Sequence, residues 1–507
     1  MEYKDKLSKS RHYFQQGEQL RLQNKHKEAV KAFKDSINIV PSQPSAYAGM
    51  ALCYLQLNQL DEAKEQFNLA FQMSRYSVKS PDIKYNYAIY LRTIGRIRES
   101  KTYFKDLLTG DKPFNIISFY ELLMYDDMSK INDKNIRKMK ALLKSPNTNR
   151  HLKIYLYFAL GKLYHLQGNY KNAWLHYYRG NSLSYNKPIR DSRIDSLKKV
   201  KNSIISFFNS NRFSHANLEI LRKHNKLNLF KTNNKELILI LGMPRTGTTI
   251  IENILSSNDN VLGLGELEEM TRLLITEDKN EQEKKKQDNQ NIKNNENDVE
   301  ENKELTFIYE SIQKNPKLLM DISNTYYRTI LEKAKTADFI DEENVRIFLD
   351  KSLNNILFLG YILLMYPNVK IIHCERYILD TALSIYFNKF DDISKCWTTN
   401  LDNIISYYKI YKELIEHWKS IFHPTMLNVS YETLVSQPEE TIKKIIGFCD
   451  FQWESKYLDF YKNKVPFFTL GSYKVREPLH TQSIGVWKKY ENYIGVIISY
   501  AKHMNLL

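Results

Sequence analysis

An eight-residue stretch, Gly242-Met243-Pro244-Arg245-Thr246-Gly247-Thr248-Thr249, follows the apolar run Leu237 to Leu241 and precedes a helical pattern of Ile250, Ile251, Ile254 and Leu255. A Gly-rich turn between a buried strand and a helix is an anion cradle. Backbone N–H groups converge on the ligand, and the helix dipole favours its negative charge. The spacing satisfies G-x-x-x-x-G, yet Thr248 stands where a nucleoside triphosphatase carries the Lys that bridges β- and γ-phosphates. That difference speaks against ATP or GTP hydrolysis and against a nucleotide kinase. Arg245, inside the loop, can still grip a phosphate-like group without spanning a triphosphate.

The elements that must hold this loop read as a sheet with helices on both faces. Leu237–Leu241 is the kind of continuous apolar run that a strand buried on both sides requires. Further strands are expected at Val345–Leu349, Val369–His373 and Thr425–Val429, with helical patterns between them at Asn354–Met365, Leu379–Phe387 and Asn400–Ile421. Strand and helix in alternation imply a parallel sheet. Upstream the periodicity differs. Ala29 and Ala63 lie 34 residues apart in matching frames, the first with Tyr13, Gly17, Leu20 and Phe33, the second with Tyr47, Ala51, Tyr54 and Phe67. Further frames run from Ala88 to Leu107 and from Tyr157 to Gly180. Small residues at two fixed positions let antiparallel helices approach, and large ones fill the space between neighbouring pairs. The pattern resembles the tetratricopeptide repeat over about Ser10 to Asn181.

The loop, its flanking strand and helix, and Gly265-Glu266 after them resemble the sulfotransferase domain that uses PAPS (3′-phosphoadenosine 5′-phosphosulfate). With the repeats ahead of it, the chain is similar to bacterial tetratricopeptide-repeat sulfotransferases, relatives of tyrosylprotein sulfotransferase. The resemblance implies that Arg245, Thr246, Gly247, Thr248 and Thr249 hold the donor's 5′-phosphosulfate. It places Arg376, at a strand end, and Ser384, eight residues on, at the 3′-phosphate. The family's Arg-Arg-Asp-Pro is Glu375-Arg376-Tyr377-Ile378 here. Asp350-Lys351 matches the Lys near the sulfuryl group, and Tyr431-Glu432-Thr433-Leu434-Val435 the segment whose Tyr contacts the donor. Ser472 to Pro478 and Ser483 to Trp487, with Val475 and Trp487, look like a lid over the adenosine, although Val486 replaces the basic residue usual before the Trp. Glu266 matches the catalytic base; Lys351 and Arg245 would supply charge, and Ser472 a hydrogen bond to the transition state. His373 is the lesser candidate for a base, within a strand and more naturally a packed residue. The expected fold is thus an all-α tetratricopeptide solenoid at 1–185, a helical connector at 186–230, and an α/β P-loop-like sulfotransferase domain with a parallel sheet at 231–507. Within the last, 277–304 reads as a disordered insertion, nearly all Glu, Asp, Lys, Asn and Gln.

Composition bounds the partners. The chain has 507 residues with 74 basic and 58 acidic side chains, a formal net charge of +16. Such an excess suits an anionic ligand, nucleic acid or an acidic membrane, or else only solvated lysine faces in a Lys-, Asn-, Ile- and Tyr-rich sequence. With PAPS as co-substrate and PAP as product, neither nucleic acid nor membrane is needed. The polar start Met1–Lys6, with no apolar run behind it, leads us to expect no signal peptide, and the longest apolar stretch, Ile356 to Tyr366, is far short of the ~20 residues of a membrane helix. Four cysteines without a C-x-x-C pair suggest a reducing, cytoplasmic setting and no metal. The expected reaction moves a sulfuryl group to an acceptor hydroxyl, on a protein tyrosine or other peptide side chain held by the repeats, or on a carbohydrate or small molecule. A repeat scaffold with a catalytically weakened domain is the reading from another class, motivated by Glu375, Tyr377 and Val486. A homodimer is compatible with either.

Overall fold

The computed structural model describes residues 2–23, 25–74, 81–108, 112–126, 131, 133–184, 187–211, 213, 230, 233–273, 316–337, 340–390, 393–463, 465–467 and 474–504. They form two compact units: Met1–Leu183 with Glu332–Asn344 and Lys462–Glu477, and Ser184–Leu331 with Val345–Tyr461 and Pro478–Leu507. The expected insertion at 277–304 and the candidate Ser472 lie outside the described residues. Among those described, no helix is long and apolar enough to cross a membrane.

The first unit is helical: α1 (Glu2–Leu22), α2 (His26–Ile39), α3 (Pro44–Gln56), α4 (Leu60–Ser74), α5 (Pro81–Thr93), α6 (Ile97–Leu107), α7 (Lys112–Met124), α8 (Asp133–Lys144), α9 (Arg150–Leu166) and α10 (Tyr170–Ser184). The turns inside three of the helix pairs share one device. Asn58, Gly95 and Gly168 adopt left-handed backbone at φ 62°, 83° and 74°, and the next N–H reaches back five residues: Gln59 to Tyr54, Arg96 to Leu91 and Asn169 to Tyr164. These are Schellman closures, which satisfy a helix's last carbonyls while reversing the chain. Between the paired helices the small positions are filled completely. A Cβ on Gly17 would lie 2.8 Å from the Phe33 ring, and one on Gly161 2.8 Å from Tyr177. Ala29, Ala63, Phe33 and Phe67 are fully buried, and Ser100 Oγ donates to the Ala88 carbonyl across its pair at 2.8 Å.

The second unit contains α11 (Lys187–Phe207), β1 (Glu236–Gly242), α12 (Thr248–Leu255), β2 (Val261–Gly263), α13 (Pro316–Thr336, through Leu331), β3 (Ile347–Asp350), α14 (Asn355–Met365), β4 (Lys370–Glu375), α15 (Ile378–Tyr386), α16 (Leu401–Phe422), β5 (Met426–Ser430), α17 (Tyr431–Ser436), α18 (Pro438–Phe448) and α19 (Gly495–His503). The five strands form one sheet in the order β2-β3-β1-β4-β5, parallel at every pairing. One face packs Ile238, Ile240, Ile372 and Cys374 against Ile251, Ile254 and Leu255 of α12 and Ile442, Ile445 and Ile446 of α18. Alternate residues face the other way, where His373 stacks on Tyr411 of α16. There Trp418 Nε1 donates to the Ile356 carbonyl at 2.8 Å, and Gly360 lets α14 close on Phe208 and Trp418.

β1 is central, and the chain leaves it first toward β2 and β3 and later toward β4 and β5. Open parallel sheets bind ligands at the carboxyl ends of strands where the winding reverses. The register pairs Gly242 with Cys374 and Leu239 with Asp350, and Gly263 with Leu349. The turns after β1, β4, β3 and β2 therefore open at one edge. Because Gly161 already touches Tyr177, Gly161→Val is expected to destabilise the first unit by about 1–3 kcal/mol through overpacking, read by denaturant unfolding.

Candidate active site

The loop after β1 is shaped by backbone that few residues tolerate. Arg245 has φ 73° and Gly247 φ 97°, and left-handed backbone at a bulky residue persists only where its surroundings hold it. Here Thr246 Oγ1 donates to the Met243 carbonyl at 2.7 Å, and Arg245 Nε donates to Ser384 Oγ at 3.2 Å. Gly242 is required by contact: a Cβ there would lie 2.6 Å from Thr246 Oγ1 and 3.0 Å from the Cys374 carbonyl. A Cβ on Gly247 would lie 3.0 Å from the Tyr431 ring. Thr246 and Thr248 are buried and Thr249 half-buried at the start of α12, whose first-turn N–H groups point out of the helix.

Arg376 joins the end of β4 to this loop. Its Nη1 donates to the Arg245 carbonyl at 3.0 Å, its Nη2 to the Ser483 carbonyl at 2.7 Å, and its guanidinium lies 4.4 Å over the Tyr431 ring. Its Nε is buried without a hydrogen-bond partner. Burial pulls this guanidinium below the usual arginine range, with Tyr431 and Asp380 opposing. Asp380, in the first turn of α15, holds the C-terminal segment: Oδ2 accepts from Gly485 N–H at 2.7 Å and Oδ1 from Trp487 N–H at 3.0 Å. The Trp487 and Tyr377 rings lie 6.1 Å apart. So Arg245, Gly247, Arg376, Ser384 and Tyr431 are linked by direct contacts, Thr246 braces the same loop, and Trp487 is tied in through Asp380 and Tyr377. Val475 belongs instead to the first unit, where it is buried and the neighbouring Arg476 lies against Gly95.

A second cluster lies at the ends of β3 and β2. Lys351 is fully buried, with Nζ 3.7 Å from Glu266 Oε1 and 3.7 Å from Glu252 Oε2, and without a hydrogen bond. Glu252 lies on α12, 2% exposed, its Oε1 accepting from Gly265 N–H at 2.9 Å. Burial raises its carboxyl above the usual range, with Lys351 and that N–H opposing. Asp350 turns away from the edge: Oδ2 accepts from Tyr326 OH at 2.6 Å and Oδ1 from Ser352 N–H at 2.9 Å. Glu266 is about a third exposed and lines a cavity of ≈ 50 Å³ with Leu353, Leu357, Arg193, Trp397 and Tyr407. Trp397 and Tyr407 stack at 3.9 Å, 4° from parallel.

His373 is a packed residue. It is 2% exposed, its Nδ1 lies 3.0 Å from Asn428 Oδ1, and burial lowers its pKa. Glu375, beside Arg376 in sequence, has its carboxylate 3.7 Å from His373. Glu252 and Asp380 were not picked out from sequence. The signal for Glu252 was available: a carboxylate inside the apolar run Ile250-Ile251-Glu252-Asn253-Ile254-Leu255 falls on a buried helix face. Asp380→Ala removes the acceptor of two N–H groups, so amide exchange at Gly485 and Trp487 is expected to quicken about ten- to hundredfold, measured by hydrogen–deuterium exchange.

Residues 238–455 match the model of the sulfotransferase family, and residues 20–73 match a tetratricopeptide-repeat model. An uncharacterized protein of Aquifex aeolicus is 28% identical over 413 residues, 80% of this chain and 48% of that protein, so the chain spans about half the length of the curated relative it matches. Among solved structures, the sulfotransferase domain of the Synechococcus PCC 7002 olefin synthase is 16% identical, covering 50% of this chain and 88% of its own, at TM-score 0.34. A Mycobacterium avium sulfotransferase is 13% identical over 55% of this chain and 80% of its own, at TM-score 0.27. The chain thus carries a tetratricopeptide-repeat match at 20–73 and, at 238–455, a domain that matches the sulfotransferase family and holds Arg245, Glu252, Glu266, Lys351, Arg376 and Tyr431, with Trp487 beyond it.

Proposed function

We propose that this chain transfers the sulfuryl group of PAPS to an acceptor hydroxyl by in-line displacement. The observation that carries the reading is the buried Lys351 ammonium, which has no hydrogen-bond partner and lies 3.7 Å from Glu266 at the sheet edge that also bears the anion loop. A buried ammonium whose two carboxylate neighbours both stand beyond hydrogen-bond reach keeps unsatisfied donors, and an anionic donor would satisfy them. The unpartnered Arg376 Nε makes the same demand at the end of β4. When bound, PAPS supplies an activated sulfuryl group and a phosphorylated leaving group. The loop from Arg245 to Thr249 would receive its 5′-phosphosulfate, and Arg376 with Ser384 its 3′-phosphate. Tyr431 and Trp487 would flank the nucleotide. Glu266 would take the acceptor's proton, while Lys351 and Arg245 stabilise negative charge growing on the transferring and leaving oxygens. Val475 and Ser472 remain proposed lid residues of the same donor.

The acceptor hydroxyl would enter the cavity beside Glu266. Its lining mixes Leu353, Leu357 and the Trp397–Tyr407 stack with Arg193, Glu268, Ser352 and Asn354, and the aromatic stack is the feature that favours a hydroxyl on a flat ring such as a tyrosine. The repeats are the proposed docking element for a peptide bearing it. Titration calorimetry with PAP tests the nucleotide site: micromolar affinity is expected, weakened by about tenfold or more in Arg376→Ala. Glu266→Gln should keep PAP binding and lower sulfate transfer by about 10²-fold or more. A folded protein that ignores PAP at micromolar concentration overturns the reading. PAP binding with no transfer to peptide or sugar hydroxyls, and no effect of Glu266→Gln, would instead favour a repeat scaffold with a weakened domain.

A further inference from the structure

Glu252 is placed to act on the base it never touches. It projects from the second turn of the helix that follows the anion loop, and its two oxygens reach different parts of the neighbouring cluster. Oε1 accepts from Gly265 N–H at 2.9 Å, fixing the turn that presents Glu266; Gly265 itself holds left-handed backbone at φ 68°. Oε2 has no hydrogen bond and lies 3.7 Å from Lys351 Nζ, the same distance that separates Nζ from Glu266 Oε1. One ammonium is thus shared between two carboxylates, one buried and one opening onto a cavity. Lys351's backbone N–H donates to the Gly265 carbonyl at 3.1 Å, which ties all three residues to one turn.

We propose that Glu252 is a positioning residue for sulfuryl transfer: it fixes the Gly265–Glu266 turn and, by competing for the Lys351 ammonium, keeps Glu266 a stronger base than a simple Lys–Glu pair would allow. The inference rests on the function proposed above. Its physical content is that a like charge nearby disfavours the carboxylate form, whereas an undivided ammonium favours it. Other charged and titratable groups border the cluster. Asp350 is engaged with Tyr326 and Ser352, and the Cys374 thiol on β4 is raised by burial and opposed by Lys351. Glu268 and Arg193 line the cavity with Glu266. The Gly265 N–H is bonded by Glu252, whose other oxygen faces the ammonium, so one side chain reaches both the turn and Lys351 Nζ.

Glu252→Gln tests the role, because the amide oxygen can still accept from Gly265 while the charge is gone. Lys351 then turns wholly to Glu266. The acid limb of the kcat–pH profile is expected to move down by about half a pH unit or more, and plateau kcat to fall about three- to tenfold, with PAP affinity unchanged. A purely structural role would lower activity without moving the limb. Glu252→Asp, which keeps the charge but withdraws it by one methylene, guards against a variant that fails to fold and should shift the limb the same way by a smaller step. An unmoved limb in a folded variant that binds PAP overturns the positioning role and leaves the sulfotransferase reading standing. A wild-type protein that neither binds PAP nor transfers sulfate overturns both.

Discussion

The parallel register of β1 with β3 and β4 is the constraint on which the site depends. Gly242 opposite Cys374 puts the start of the anion loop level with the start of the Arg376 turn, and Leu239 opposite Asp350 does the same for Lys351. A slip of one residue would carry Arg376 along β1 by about 3.3 Å, enough to lose its bond to the Arg245 carbonyl. It would also exchange Ile372 and His373 between the two covered faces, setting His373 against the apolar side chains of α12 and α18. The hydrophobic pattern that packs Ile238, Ile240 and Ile372 on one face therefore sets the distances among polar groups beyond the strand ends. Gly242 is part of the same constraint, since only a residue without Cβ lets the loop return so close to β4.

Electrostatics in the site differs from electrostatics over the rest of the chain. Exposed pairs such as Lys443–Glu439 and Lys444–Glu440 lie in water and contribute little. Lys351 and Glu252 are buried almost completely, where each charge acts over a lower dielectric and depends on its few neighbours. The formal charge of +16 does not reveal that distinction. What matters at the sheet edge is a small number of cations whose partners are backbone carbonyls, an aromatic face and carboxylates held at fixed distance.

Much of this was legible in the residues because it rests on short-range rules. The loop announced itself through glycines and a strand–turn–helix context, and the repeats through small residues at a constant spacing. The central strands stood out as continuous apolar runs. β2 did not, since Val261–Gly263 is too short to show any periodicity. Arg376 and Ser384 were picked out, but Ser384's partner proved to be Arg245, a contact across 139 residues that no local pattern encodes. Asp380 was hidden for the same reason: a carboxylate near the start of a helix reads as an ordinary first-turn acid, whereas it binds two N–H groups more than a hundred residues away.

The clasp between Asp380 and the Gly485–Trp487 backbone has a bearing on how the protein is made. Arg376 and Asp380 leave the ribosome long before Ser483, Gly485 and Trp487 exist. During that interval the sheet can assemble and the anion loop can form. Yet the guanidinium and carboxylate at the end of β4 must wait in water for acceptors and donors not yet synthesised. The half of the site built around Arg376 and Trp487 is thus finished last, and a nascent chain can acquire a stable domain well before it acquires a complete pocket.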